Sequence, residues 1–442
     1  MRGGKIMTDT AVTINLFNNL WVLLCGALVF IMTISVGLLE IGELGKDYRQ
    51  GLLKTVIIIC LGFFVMALVG FNTAFAPTIG GIIGDPFYSA PFLGGFSTTF
   101  PGVLQGVWWS MGSAWFNTGV TLSSYFFFET AFASVTLALV GLIVLRKMKL
   151  PAFCIFSVVY FIIIWNLPAA WVWNPTGWLY LIGMRDFAGG LVVHGAAAAA
   201  GGAILVKIWQ EEKKKGYKES PKVAVNVSPG WLTLAVLLLW LGWFGFNPGS
   251  TLTWSYEANV VVLTTFICAS TSFLSMMLFK YWETKKNPDL IYAANGVLMG
   301  LIVITPVAGF VSPGSSVILG IISGPLYIYL EKVFLRMKWF TDPMGLFPGH
   351  FSGGLFGVLM IAFFTQHPYA VASGNGNLPD GILFGGGSVA FQQLGIEVLG
   401  IIAVMITVFV ISYITVYLIA RGMGGITTDY KKEGMFPGHE VQ

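Results

Sequence analysis

The sequence predicts an all-α, polytopic membrane protein of eleven transmembrane helices, and three observations predict it. Of 442 residues, 56% are hydrophobic and only 10% charged, where a soluble globular chain carries roughly 25% charge. Stretches of about 20 mostly apolar residues, the length a helix needs to cross a bilayer, recur along the whole chain. These stretches are too long for barrel strands and do not alternate at period two. An ordinary soluble enzyme is thereby excluded. The 36 Phe, 15 Trp and 15 Tyr also exclude a charge-poor disordered chain, which could not leave so much apolar surface in water.

Taken in order, the spans start near residues 17, 53, 121, 151 and 187, then near 230, 258, 291, 313 and 347, and the last runs from about 389 to 420. The expected organisation is one membrane domain over residues 1–420. It divides into a first repeat at about 17–208, a second at about 230–364 and a closing helix at about 389–420, with a C-terminal tail at 421–442. The stretch Trp21 to Leu39 is too long for a signal-peptide core, so no cleavable signal is expected. Cys25, Cys60, Cys154 and Cys268 all fall inside spans and are expected as small core residues, with neither a disulfide framework nor a zinc site.

Basic residues orient the spans, because Lys and Arg collect in cytoplasmic loops. Clusters follow spans one, three, five, seven, nine and eleven, and only Arg2, Lys5 and Arg185 lie on the other side. So 21 of 24 cations predict an outer N-terminus and a cytoplasmic C-terminus. The same distribution accounts for the net charge of +4 without a nucleic-acid partner. The run Glu211 to Lys222 is expected as a solvated linker, with a partner-docking loop as the second reading, and the segment Pro77 to Val120, with Trp108, Trp109 and Trp115, as either an aromatic-rich outer cap or an interfacial anchor.

Ionisable residues inside spans are costly and therefore mark function. Here they are Glu129, Asp186, His194, Asp342, His350 and Glu397. Asp186 opens span five and His194 follows eight residues later; Asp342 opens span ten and His350 follows at the same spacing. Eight helical residues rise about 12 Å, against a half-thickness of about 15 Å. Spans five and ten enter from opposite faces, so both histidines are expected at the membrane centre. This is the signature of a 5+5 inverted-repeat transporter with its site at the midplane. Each Asp also has a plain role as an N-cap, and Asp186 at an outer mouth suits cation attraction as well. The small residues after the histidines permit close helix approach.

Asp186-Phe-Ala-Gly-Gly-Leu-Val-Val-His194 and Trp243-Phe-Gly-Phe-Asn-Pro-Gly-Ser250 resemble the two signatures of the ammonium transporter family (Amt/Mep/Rh), Amt branch. Asn295-Gly, Phe310-Val-Ser-Pro313 and the Asp342-to-His350 stretch align in order. The resemblance implies a homotrimer in the cell membrane, each protomer holding a narrow hydrophobic pore for ammonium or ammonia, with methylammonium as a further substrate and a PII-type signalling protein as a cytoplasmic partner. It implies an outer ammonium site at Trp173, Phe132 and Ser250 supported by Asp186, a gate of Phe132 and Phe246 with Trp243 beside it, and a proton relay over His194 and His350. No cofactor and no enzymatic activity are implied. Ammonium suits such a site, since an aromatic face attracts a cation by about 0.5 to 2 kcal/mol. Desolvating an unpaired ammonium costs far more, so passage as ammonia with the proton on histidines is the cheaper route. Two other readings are an ammonium sensor with little transport and a membrane redox protein with both histidines on a haem.

The sequence also departs from the family. Glu129 stands where Gln is usual, either as an ionised cation attractor and proton acceptor or as a protonated stand-in for Gln; the cost of a charge at that depth favours the second. Phe347-Pro-Gly-His350-Phe-Ser replaces Phe-Gly-Val-His-Gly-Val, and Gly345 stands where Asp is common. The first inner loop and the tail from Gly424 diverge too.

Overall fold

A computed structural model describes residues 9–44, 48–88, 119–221, 227–337, 342, 345 and 347–430. Among these, nine helical spans are long and apolar enough to cross a membrane. They are α1 (Leu16–Gly42), α2 (Arg49–Phe75), α3 (Leu122–Lys147), α4 (Leu150–Val172), α5 (Gly190–Lys214), α6 (Pro229–Gly249), α7 (Tyr256–Thr284), α9 (Pro313–Phe334) and α11 (Gly387–Met423). Two shorter apolar helices, α8 (Leu290–Ile304) and α10 (Pro348–Phe364), stand where the sequence placed its eighth and tenth spans. Most of the proposed outer cap lies outside the described residues, as does the tail beyond Tyr430.

Local sequence sets the helix starts. Ser255 caps α7, Asp289 caps α8, and Ser312 followed by Pro313 opens α9, each cap side chain accepting a backbone N–H. Burial then sorts the helices. In α3 almost every described residue is buried, whereas α7, α9 and α11 keep exposed rows of Leu, Ile and Phe, the all-round apolar character of helices facing lipid on one side. The two halves pack alike: α1 lies against α6, α7 against both α8 and α9, and α2 against both α3 and α4.

Three predictions are corrected here. The Asp-to-His segments are not regular α-helix, since His194 and His350 both lie in π-helical turns, Gly190–Gly195 and Pro348–Gly353. The 12 Å rise therefore does not apply; what the two segments share is a wide turn that carries the imidazole. Cys60 is exposed rather than a core residue, and Cys154 is half-exposed, while Cys25 and Cys268 are buried.

The third correction concerns Glu211 to Lys222. Its first residues belong to α5 and are an anchor, not a solvated linker. Glu212 is fully buried against Lys147 at 3.0 Å, and accepts from the hydroxyls of Ser220 and Tyr430. The Glu211 carboxylate accepts from the Thr427 hydroxyl and from the backbone N–H groups of Ile426 and Thr427. Lys149 N–H donates to the Ile426 carbonyl at 2.8 Å and Thr428 N–H to that of Lys147 at 3.0 Å. The described part of the tail is thus stitched to the ends of α3 and α5. Burial, and then the Glu212 carboxylate, hold the Tyr430 phenol well above its usual range, so it stays a donor.

Basic residues at the span ends also carry structure. Lys54 pairs with Glu40 at 2.7 Å and donates to the carbonyls of Gly141 and Leu145 at the end of α3. Because breaking a buried pair strands a charge, Glu212→Ala is expected to lose about 3–5 kcal/mol of stability. The double variant Glu212→Ala with Lys147→Met is expected to recover much of it. Thermal unfolding in detergent measures both.

Candidate functional site

One end of the site is built by the turn before α5. Asp186 is buried, and its two oxygens accept four backbone N–H groups: Oδ1 from Gly189 (3.1 Å) and Gly190 (2.7 Å), Oδ2 from Leu191 (2.8 Å) and Val192 (2.9 Å). This is the N-cap function extended over a whole π-helical turn, and it commits the carboxylate to the backbone. Its main-chain carbonyl accepts the Trp173 indole N–H at 2.7 Å, so the turn positions the half-buried indole. Behind it, Glu397 of α11 accepts from the Arg185 backbone N–H and from Gln393, which also holds the Gly183 carbonyl. Glu397 is therefore the brace of this turn.

Aromatic rings follow in sequence. The Trp173 ring meets Phe132 edge-on at 5.8 Å, and Phe132 lies over Phe246 at 4.3 Å. Both phenylalanines are buried. Ser250 ends α6 one turn beyond Phe246, to whose carbonyl its hydroxyl donates at 2.9 Å; the oxygen keeps its capacity to accept. Trp173, Phe132 and Phe246 are thus brought together. Ser250 is half-exposed at the end of the same helix.

Below Phe246, His194 stacks on Trp243 (5.7 Å, 16° between planes) and on Phe246 (6.0 Å, 25°). Trp243 is fixed through its indole N–H to the Thr305 hydroxyl at 3.0 Å. The Nδ1 atoms of His194 and His350 are 3.0 Å apart. Identical atoms meet. One imidazole must carry its proton on Nδ1 and the other must not, so the pair holds one shared proton position between two ring nitrogens. His194 Nε2 has no hydrogen-bond partner among the described residues. Close approach of α10 makes this possible: a Cβ on Gly354 would stand 2.3 Å from the Gly190 carbonyl oxygen and 3.1 Å from His194 Cβ.

Both imidazoles line a cavity of about 10 Å³, room for roughly one water-sized molecule. The other ten lining residues are apolar, among them Met32, Val36, Val135, Leu239 and Leu298. A haem does not fit. Two axial bonds of about 2 Å need nitrogens about 4 Å apart with a macrocycle between the rings, whereas these rings are hydrogen-bonded to each other.

Glu129 lies within α3, buried, one turn after Tyr125 and three residues before Phe132; its Oε2 has no hydrogen-bond partner among the described residues. The departures around His350 have steric sense. Phe351 stacks on Phe347 at 5.3 Å and meets Phe334 edge-on, so its bulk fills space between α9 and α10. A Cβ on residue 345 would overlap the Tyr327 hydroxyl at 1.9 Å. That hydroxyl donates to the Gly345 carbonyl, a bond an Asp there would displace. Gly354 is one of the small residues from which the sequence predicted close helix approach; sequence reasoning missed Thr305 and the brace of Glu397 with Gln393. Of these, only Glu397 left a signal, as a carboxylate within a span.

The model of the Ammonium Transporter Family matches residues 20–435. The chain is 29% identical over 397 residues to an ammonium transporter of Bacillus subtilis (strain 168), covering 90% of each. It is 28% identical over 422 residues to one of Aquifex aeolicus (strain VF5), covering 94% of this chain and 90% of that one. A solved structure of a sensor Amt protein superposes with a TM-score of 0.78 at 25% identity, over 96% of this chain and 98% of the other. Mep2 of Saccharomyces cerevisiae shares the fold with a TM-score of 0.75 at 23% identity, over 95% and 88%. With its signatures, its helical order and its paired histidines in one frame, the chain belongs to the Ammonium Transporter Family.

Proposed function

We propose that this protein carries ammonium across the cell membrane by separating it into ammonia and a proton. The ion is recruited at Trp173, Phe132 and Ser250, where aromatic faces and a hydroxyl oxygen replace part of its hydration. At the Phe132–Phe246 constriction it gives up a proton. Ammonia passes along the apolar path, the proton passes through the His194–His350 pair, and the two recombine beyond it, so mass and charge balance. The observation that carries the reading is the cavity itself: ten apolar residues and two hydrogen-bonded imidazoles line it. A bare cation there would be unsolvated, at a cost far above the cation–π gain. Ammonium pulses in solid-supported-membrane recordings at several pH values test it, and absence of current at every pH overturns it.

The placement of 21 of 24 cations supports an outer N-terminus and a cytoplasmic C-terminus. Family resemblance supports a homotrimer, methylammonium as a second substrate, and a PII-type partner at the cytoplasmic face. A second reading, an ammonium sensor with little flux, is favoured by the likeness to the sensor Amt protein. Binding of ammonium without current would select it.

Glu129 reads best as the hydrogen-bonding equivalent of Gln. Glu129→Gln is therefore expected to leave apparent affinity and the pH profile of the current within about two-fold, well under the 1.4 kcal/mol of a tenfold change. A displaced pH profile would make the carboxylate a titrating participant.

A further inference from the structure

At the basic ends of α5 and α11, outside the conduction path, lies a cavity of about 430 Å³, within the range of ligand pockets. Lys149, Lys207, Lys214, Lys215 and Arg421 line it, with Glu211 as the one acid. Part of this charge is spent. Lys207 pairs with Glu211 at 2.7 Å, Lys149 donates to the Gly425 carbonyl at 2.8 Å, and Glu211 is bound to the backbone of Ile426 and Thr427. Lys214, Lys215 and Arg421 are exposed, and among the described residues none of them has a recorded ion-pair partner. Three exposed cations on one cavity wall, none paired with its acid Glu211, call for an anion, and guanidinium with ammonium groups at a span end suits a phosphate.

Two of its lining residues, Tyr417 and Arg421, belong to a stripe along α11. Ile414, Tyr417, Leu418 and Arg421 fall at i, i+3, i+4 and i+7 on α11, one face of a helix. The first three are 51%, 47% and 58% exposed. A free anion has no use for that stripe, whereas a phospholipid has a phosphate for the pocket and an acyl chain for the stripe. We propose that the pocket between α5, α11 and the Gly424–Thr427 turn binds the phosphate headgroup of an anionic phospholipid. Because Gly424, Gly425 and Thr427 form its wall, the bound lipid clamps the C-terminal segment onto α5.

The test uses the full chain in phosphatidylcholine nanodiscs with and without phosphatidylglycerol. Phosphatidylglycerol is expected to slow amide exchange at Ile426, Thr427 and Thr428 by about ten-fold, near the effect of one to two juxtamembrane cations. The variant Lys214→Gln, Lys215→Gln, Arg421→Gln is expected to lose that slowing, and Arg421→Lys to keep most of it. An equal effect of phosphatidylglycerol on the triple variant overturns the site. Equal slowing by inorganic phosphate in phosphatidylcholine alone overturns the lipid in favour of a free anion. Should the triple variant not accumulate, native mass spectrometry of the unaltered protein decides instead: retention of phosphatidylglycerol over phosphatidylcholine supports the proposal, and no preference ends it.

Discussion

Proteoliposomes carrying His194→Ala are expected to give no current on an ammonium pulse, a loss of at least about ten-fold against the unaltered protein, which corresponds to 1.4 kcal/mol or more. The ground is geometric. His194 touches His350 through Nδ1 at 3.0 Å and stacks with that ring and with the rings of Trp243 and Phe246. Removing it breaks the chain of ring nitrogens and leaves His350 alone among ten apolar lining residues, without the partner that would pass a proton to it or take one from it. Ammonia needs no such partner. Its uptake, followed with an internal pH indicator, is expected to persist while the current disappears. His350→Ala is expected to behave alike, and the double variant no worse than either, since a relay is lost with its first member. Undiminished current in His194→Ala would sink the relay.

Asp186→Ala is expected to have the largest effect on folding. Four N–H groups at the start of α5 share this carboxylate, and in a buried setting each orphaned donor costs about 1–3 kcal/mol. The sum rivals the whole stability of many domains, about 5–15 kcal/mol, so the variant is expected to accumulate poorly or unfold far earlier in detergent. Asp186→Asn retains one acceptor oxygen and is expected to fall between the two. Were Asp186 only an outer cation attractor, Asn would leave thermal stability unchanged and raise the apparent affinity constant instead. The Trp173 indole should report the damage early, because it hangs on the Asp186 carbonyl, and its fluorescence follows the integrity of the turn.

Much of the candidate site was legible as spacing. Asp186 and His194, Asp342 and His350 stand eight apart in segments five spans distant, and that repetition alone directed attention to two imidazoles at one depth. It did not show the π-helical turns. A π bulge arises where packing of neighbouring helices outweighs one ordinary hydrogen-bond ring, as Asn166 illustrates: its amide donates to the carbonyls of Gly70, Phe161 and Ile162, joining such turns in α2 and α4. Glu211 and Glu212 teach the opposite lesson. Read along the chain they looked like the edge of a charged loop; only the return of Ile426, Thr427 and Tyr430 from more than two hundred residues away made them buried anchors.

The sequence by itself determined that lipid is the solvent, that the chain is helical with its spans where they stand, and which residues are ionisable inside them. Those properties follow from local composition, because a bilayer admits only segments that satisfy their own backbone hydrogen bonds. Tertiary structure alone decided that Nδ1 meets Nδ1, that Asp186 serves the backbone, that Cys60 faces outward and that the tail is stitched down. Each of these is a contact between distant segments. Such contacts depend on how helices cross and how closely glycines such as Gly354 let them come, and no periodicity within a single span encodes that.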